Sequence, residues 1–338
     1  MDNNRDKTLD IARGFAIVLV VVGHIIQYNL IGNSSSLVFK VIYSFHMPLF
    51  FLLSGYVSTY SRKVEDIKGV WNFIYKKTLQ LYIPYLIFGY AIPLACNSKR
   101  MGDLWDVISN PQNGPWFLAT LWMTQLIFII MSYTSCKLGR VCHKYNKVIE
   151  MAAYFVGLLL LLILNKMFGG SSYFTAIYYI MFIIGRYFAL FNKLVYAPAA
   201  TLCGLLVFVG LINPYIYPIG GGGGKYILTF VQLILSISVS IVVLYFSKSV
   251  CDKTSLVQSR LSRIGMYSLN IYLMHYVMIQ FVGDENLLNV PINPVPLFFL
   301  LFIAAYMVCE IICFASILIE RNKYLNFLLF GKLFWKIK

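Results

Sequence analysis

The chain has 338 residues, of which 59% are hydrophobic and only 12% are charged. The charged fraction is about half that of an ordinary soluble domain, which excludes a water-soluble core as the place for so much apolar surface. The net charge of +15 would suit nucleic acid if the basic residues formed one patch. They are instead spread between apolar blocks, so we predict no nucleic-acid partner.

The apolar blocks are about twenty residues long, the length with which a helix crosses a ~30 Å hydrocarbon core. We predict an all-α integral membrane protein with about ten transmembrane helices in contact with membrane lipids. Proline disfavours helix continuation, so shifted boundaries are expected near Pro84 and Pro93, and from Pro214 to the glycines at 220–224. The predicted spans are 10–31, 37–60, 73–95, 115–134, 148–165, 173–191, 197–217, 226–247, 264–283 and 296–319.

The basic residues alternate in number between the segments that connect these spans. The segments on the side of the N terminus hold 23 of the 28 Lys and Arg residues, and the opposite loops hold only Lys99, Arg100, Lys166 and Lys225. Cytoplasmic loops are enriched in Lys and Arg, so we predict a multi-pass protein of the cell (inner) membrane with both termini cytoplasmic. The longest polar interval, about 96–114, is short, and we predict one transmembrane domain over 1–338 without an appended soluble domain.

Ionisable residues inside spans are costly and indicate function. The first span contains Asp10, Arg13 and His24 in LDIARGFAIVLVVVGH. Arg13 and His24 are separated by about three helical turns, which places them on one face roughly 16 Å apart. Asp10 lies on the same face, three residues before Arg13, and can pair with it. Arg13 also fits a simple cytoplasmic anchor, whereas the apolar stretch around His24 offers no local partner.

Two further histidines are predicted to lie at the depth of His24. His46 in the second span enters from outside, and His275 in the ninth span enters from inside. At about 1.5 Å per residue, all three imidazoles reach nearly the same level of the bilayer. His143 lies in a basic cytoplasmic loop. Side chains that form one buried reaction centre must lie at the same depth, although equal depth does not establish contact between their helices.

These residue types suit acyl transfer from a phosphorylated donor. Imidazole is the natural general base for a hydroxyl, and arginine offers a fork of donors suited to phosphate. Lys76 and Lys77 at the head of the third span add to a donor-binding surface, or serve only as positive-inside anchors. A phosphate-binding group with a base about 16 Å above it fits the shape of a coenzyme A thioester. No clustered carboxylate and histidine set is present, so we predict no metal.

The motifs resemble those of acyltransferase family 3, and more closely its branch related to fucose 4-O-acetylase. The resemblance covers nearly the whole chain. Gln80 departs from the family pattern, in which an arginine often precedes the proline of the third span, and Lys76 or Lys77 are candidates to substitute for it. The matching segments are LDIARGFAIVLVVVGH at 9–24, FHMPLFFLLSGY at 45–56, IPY at 83–85, PWFLATLW at 115–122 and IGMYSLNIYLMH at 264–275.

The resemblance implies a membrane O-acyltransferase of the cell envelope. It implies transfer of an acyl group, usually acetyl, from cytoplasmic acyl-CoA to a hydroxyl of an extracytoplasmic polysaccharide or lipid-linked carbohydrate. His24 matches the catalytic candidate and Arg13 its partner in donor binding and catalysis. Residues that match other motifs and are expected to line the site are Asp10, His46, Ser54, Trp116 and His275.

Two other functions stay open from the sequence. Ten spans with proline-interrupted helices also suit a secondary transporter that exports a lipid-linked sugar, although we see no inverted repeat. A non-catalytic subunit of an envelope glycan assembly system is the other alternative, against which the presence of Arg13 and His24 argues. Binding of acyl-CoA would separate the acyltransferase from the exporter.

Overall fold

The computed structural model describes residues 6–30, 37–60, 64–96, 98, 100–141, 145–191, 200–201, 204, 226–253, 255–279 and 294–332. Within these ranges the elements are all helical. Short 3-10 turns occupy Pro111–Asn113 and Ser172–Phe174. The helices are α1 Lys7–Asn29, α2 Leu37–Ser58, α3 Ile67–Ala95, α4 Asp103–Ser109, α5 Trp116–Val141, α6 Asn146–Met167, α7 Ala176–Phe191, α8 Tyr226–Cys251, α9 Leu256–Met266, α10 Ser268–Met274, α11 Tyr276–Ile279, α12 Pro294–Arg321 and α13 Lys323–Phe330.

Seven helices of the described part are long and apolar enough to cross a membrane. They are α1, α2, α3, α5, α6, α8 and α12, and they coincide with the predicted spans one to five, eight and ten. Helix α7 coincides with the sixth predicted span but has only 16 residues. The nearly all-helical chain with several long apolar helices agrees with the predicted fold class, while the number of spans and the side of the termini stay predictions.

Helix α3 contains Pro84 and Pro93, as the predicted third span does, but it begins earlier, at Ile67. Shortly before each proline, π-helical turns at Thr78–Tyr82 and Ile87–Ala91 shift the hydrogen bonding to partners five residues back. The ninth predicted span, 264–283, is not one helix: α9, α10 and α11 meet there at Tyr267 and His275. Most of the seventh predicted span, the glycines at 220–224 and His143 lie outside the described residues.

The described residues fall into two compact units. The first comprises those of Met1–Leu53 and Phe191–Glu320, and the second comprises those of Ser54–Leu190 and Arg321–Lys338. The first unit contains α1, most of α2 and the helices α8 to α12. The second contains the end of α2, the helices α3 to α7 and α13.

In the first unit, α1 packs against α9 with backbone close to backbone. A Cβ atom at Gly14 would overlap the carbonyl oxygen of Leu261, and one at Gly265 would overlap that of Asp10. Small residues permit such close approach between helices in membranes. Because each glycine faces the other helix, the crossing fixes the register of α1 against α9.

Polar groups also join the helices of the first unit. The hydroxyl of Ser236 on α8 donates to the carbonyl of Ser44 on α2 at 2.9 Å, and both residues are buried. Glu310 on α12 pairs with Arg263 and, at 3.7 Å, with Arg260 of α9. Tyr306 donates to the same carboxylate at 2.7 Å. The carboxylate inside this apolar helix is therefore paired, as a charged group in a span requires.

In the second unit, aromatic residues fix α3 beside α5. Tyr82 in the first π-helical turn stacks on Trp122 with ring centroids 4.4 Å apart, and Trp122 Nε1 donates to Thr78 Oγ1 at 3.0 Å. Helices α6 and α7 are joined by an ion pair between Arg186 and Glu150 at 3.5 Å. A hydrogen bond between α3 and α5 and an ion pair between α6 and α7 thus join helices of the second unit.

The crossing of α1 and α9 predicts that stability depends on glycine at positions 14 and 265. Replacing Gly14 or Gly265 by alanine should cost roughly 1 to 3 kcal/mol, because the helices must separate to admit the methyl group. Thermal unfolding of purified protein followed by size-exclusion chromatography measures the loss. Gly102→Ala is the matched control, since a Cβ at Gly102 has no atom within 4 Å. Equal melting temperatures for Gly14→Ala and Gly102→Ala would contradict the crossing.

Candidate active site

His24 lies near the C-terminal end of α1, partly exposed, and its Nδ1 atom has two polar neighbours. Nδ1 is 3.2 Å from Gln27 Oε1, one turn further along α1, and 3.3 Å from the hydroxyl of Tyr43 on α2. The Tyr43 hydroxyl in turn donates to Gln27 Oε1 at 2.7 Å. The three side chains form a closed polar triangle.

This triangle determines which nitrogen of His24 carries a proton. Tyr43 has one hydroxyl hydrogen and gives it to Gln27, so its oxygen can only accept from Nδ1. Gln27 Oε1 is also an acceptor. With the Gln27 oxygen on this side, Nδ1 of the neutral imidazole is assigned as the donor, which leaves the lone pair on Nε2.

The break between α10 and α11 supplies the partner of that lone pair. Tyr276, the first residue of α11, places its hydroxyl 3.1 Å from His24 Nε2, to which it donates. His275, at the break itself, is fully buried, and its ring centroid lies 5.1 Å from that of His24. The structure thus brings His24 and His275 together within the first unit.

His46 is linked to His24 through Tyr43. The rings of Tyr43 and His46 are 4.7 Å apart in an edge-on arrangement, and His46 is buried. Nδ1 of His46 donates to the carbonyl of Ile42 at 2.7 Å. All three predicted histidines therefore belong to one aromatic and polar cluster, built from α1, α2 and the α10–α11 break.

A buried asparagine fastens α11 to α1 next to this cluster. Asn29 Nδ2 donates to the carbonyl of Ile25 at 2.9 Å and to that of Ile279 at 2.7 Å. Ile279 is the last residue of α11, and Tyr276 is the first. The amide therefore positions the short helix that carries the Tyr276 hydroxyl.

Arg13 lies about three turns from His24 along α1, and Asp10 about four. Arg13 Nη1 contacts Asp10 Oδ1 at 3.5 Å, and Asp10 is buried. Leu261, which faces Gly14 across the helix crossing, follows Arg260, and Arg263 lies two residues further along α9. The side chains of both arginines pair with Glu310 of α12.

The other predicted site residues belong to the second unit. Ser54 is partly buried in α2, and Trp116 opens α5 and stacks on Tyr178 at 5.7 Å. Lys76 is exposed, and the Lys77 ammonium lies 5.6 Å from the ring centroid of Phe73. In the described ranges no group of three or more His, Cys, Asp and Glu side chains is arranged to hold a metal ion.

Sequence reasoning missed Gln27, Tyr43 and Tyr276. Gln27 and Tyr43 each lie three residues from a predicted histidine, so a polar residue one turn from a histidine in an apolar span was the available signal. Tyr276 gave no such signal, because its contact with His24 joins two helices that are far apart in sequence. Glu310, the carboxylate inside the last long span, was also missed.

The chain belongs to acyltransferase family 3. The family profile described as an acyltransferase domain matches residues 6–314, nearly the whole chain. This match includes the helices that carry Asp10, Arg13, His24, His46 and His275. The particular branch of the family, which we expected to be that of fucose 4-O-acetylase, is not confirmed.

Two curated relatives are similar to part of the chain. They are the nodulation protein NolL of Mesorhizobium japonicum, 37% identical over 91 residues, and that of Sinorhizobium fredii, 37% identical over 97 residues. Each match covers 25% of this chain. It covers 23% of the Mesorhizobium japonicum protein and 24% of the Sinorhizobium fredii protein. The chain therefore spans about a quarter of the length of these relatives. No solved structure matches it significantly.

The hydrogen bonds predict an unusual tautomer for all three histidines. We expect His24, His46 and His275 to carry their proton on Nδ1 in the neutral state, because each Nδ1 faces an acceptor. Nitrogen-15 chemical shifts of histidine-labelled protein at mildly alkaline pH measure this. Tyr43→Phe should disturb only the His24 signal. Protonation of His24 at Nε2 in the unmodified protein would contradict the triangle with Gln27.

Proposed function

We propose that the chain is a membrane O-acyltransferase that moves an acyl group, typically acetyl, from cytoplasmic acyl-CoA to a hydroxyl of an extracytoplasmic or lipid-linked carbohydrate. The observation that carries the proposal is the state of His24: Nδ1 is held by Gln27 and Tyr43, while Nε2 offers its lone pair to a hydroxyl. A general base needs this arrangement, in which one nitrogen is fixed and the other accepts a proton.

In the proposed reaction, the acceptor hydroxyl takes the position that the Tyr276 hydroxyl marks at His24 Nε2. Nε2 accepts the hydroxyl proton while the acceptor oxygen attacks the thioester carbonyl carbon. The carbon–sulfur bond then breaks, and the coenzyme A sulfur leaves with the proton that the imidazolium returns. The products are the O-acyl ester and free coenzyme A. Gln27 and Tyr43 stabilise the imidazolium, since both accept from its Nδ1–H.

The proposed donor site begins at the N-terminal end of α1. Arg13 is the candidate for holding donor phosphate, with its position set by Asp10 and by the glycine crossing. The distance of about three turns from Arg13 to His24 suits the pantetheine arm of coenzyme A. We propose Lys76 and Lys77 as further contacts to the donor phosphates. Ser54, Trp116 and His46 are proposed to line the site.

The setting of the reaction follows from the predicted topology. We propose that the chain forms a single acyltransferase domain over 1–338, multi-pass in the cell (inner) membrane, with both termini cytoplasmic. The donor then enters from the side of Arg13, and the acceptor approaches from the opposite side. A carbohydrate acceptor is supported by the family resemblance.

Replacing His24 tests the proposed base directly. His24→Ala should still bind acetyl-CoA, because the phosphate contacts are three turns away, but lose roughly 10² to 10⁴-fold in transfer rate. Radiolabelled acetyl transfer to envelope carbohydrate, with protein in lipid nanodiscs, measures the rate, and equilibrium binding measures the affinity. Full transfer by His24→Ala excludes it as the base. A wild-type protein that does not bind acetyl-CoA would favour the sugar exporter.

Tyr276→Phe is the control for the hydrogen bond at Nε2. Loss of that hydroxyl removes one hydrogen bond to His24 but leaves Nδ1 held by Gln27 and Tyr43, so the rate should fall by roughly 10-fold at most. Acetyl-CoA affinity should stay unchanged. A loss as large as that of His24→Ala would show that the tyrosine hydroxyl itself transfers the proton.

A further inference from the structure

His275 holds a lone pair for which the described chain offers no donor. Its Nδ1 donates to the carbonyl of Ile271 at 3.0 Å, so the lone pair of the neutral ring is on Nε2. The residue is fully buried, and Nε2 has no hydrogen-bond partner among the described residues. Leaving a buried acceptor unpaired costs about 1 to 3 kcal/mol, and a hydrocarbon surrounding supplies no water to offset it.

The nearest hydroxyl does not fill this position. The ring of Tyr276 lies 4.2 Å from that of His275, but its hydroxyl points to His24 Nε2 and lies outside hydrogen-bond distance of His275 Nε2. The ring of Tyr272 lies 5.9 Å away on the preceding turn of α10. The ring centroids of His24 and His275 are 5.1 Å apart, so a ligand whose hydroxyl binds His24 can bring a neighbouring hydroxyl within reach of His275.

We propose that His275 Nε2 binds a second hydroxyl of the acceptor, adjacent to the one that His24 deprotonates. Adjacent hydroxyl oxygens on a sugar ring lie about one hydrogen-bond length apart. The two imidazoles, with ring centroids 5.1 Å apart, present one lone pair each. A vicinal diol satisfies both at once, whereas a simple alcohol leaves His275 unpaired.

This inference rests on the proposed function and narrows its substrate class. It makes His275 a specificity-determining residue that selects an acceptor with neighbouring hydroxyls. A site with a buried polar group rejects a ligand that lacks the matching group, because the buried group is then left unpaired. The proposal also accounts for an imidazole at this position, where a phenyl ring would pack without an unpaired nitrogen.

Nitrogen-15 chemical shifts test the proposal without any acyl donor, because a hydrogen bond to an unprotonated imidazole nitrogen moves its signal. In full-length protein in nanodiscs, cis-cyclohexane-1,2-diol should shift the Nε2 signals of both His24 and His275. Cyclohexanol and cis-2-methoxycyclohexanol should shift only that of His24. An equal shift of the His275 signal with diol and cyclohexanol, or none with the diol, would overturn the proposal; an equal shift would assign the position to water or any alcohol.

The kinetic arm uses the same alcohols as acetyl acceptors. The wild-type protein should prefer the diol over cyclohexanol by roughly 10-fold in kcat/KM, the value of one buried hydrogen bond, and His275→Phe should reduce the preference to about one. Ser316→Ala is the matched control, since Ser316 on α12 is also fully buried with a polar atom that has no partner among the described residues, and it should keep the preference.

The two arms separate this proposal from the proposed function. Acetyl transfer that depends on His24 but shows no diol preference would leave the acyltransferase proposal standing and overturn the role of His275. A shift of the His275 Nε2 signal with the diol, in a protein that transfers no acetyl group, would support the role of His275 and overturn the acyltransferase proposal. A diol preference that persists in His275→Phe would also overturn the assignment.

Discussion

A helix that crosses hydrocarbon can carry a polar side chain only where another part of the protein supplies its hydrogen-bond partner. In the first unit this constraint is met around His24. The triangle with Gln27 and Tyr43 holds Nδ1, and the Tyr276 hydroxyl donates to Nε2. The same contacts that make the imidazole tolerable in a span also fix its tautomer and orientation. Stability and chemistry therefore depend on one set of hydrogen bonds.

The packing of the first unit holds the partners of His24 in position. Tyr276, which follows His275, contacts His24 of α1, and the amide of Asn29 holds the end of α11 against the same helix. At the other end of α1, Gly14 and Gly265 fix the crossing with α9. Because α1 is continuous between these points, the rigid helix sets the distance from Arg13 to His24. The helix thereby sets the length that a donor needs in order to reach from Arg13 to His24.

The sequence predicted what depends on local pattern. Hydropathy blocks gave most of the long helices, and residue counts placed His24, His46 and His275 at one depth, where the structure brings them into one cluster. It could not predict how α3 continues past Pro84 and Pro93, because π-helical turns depend on packing such as that of Tyr82 on Trp122. It also missed Tyr276 and the pairing of Arg263 with Glu310, since both require knowledge of which helices meet.

The most direct test of the account is a structure of the full chain in lipid with a thioether analogue of acetyl-CoA, determined by electron cryomicroscopy. The phosphates of the analogue should lie at Arg13 and its carbonyl group beside His24 Nε2, with space for one acceptor hydroxyl between them. An analogue whose carbonyl lies away from His24, or whose phosphates lie at the opposite end of α1, would contradict the account.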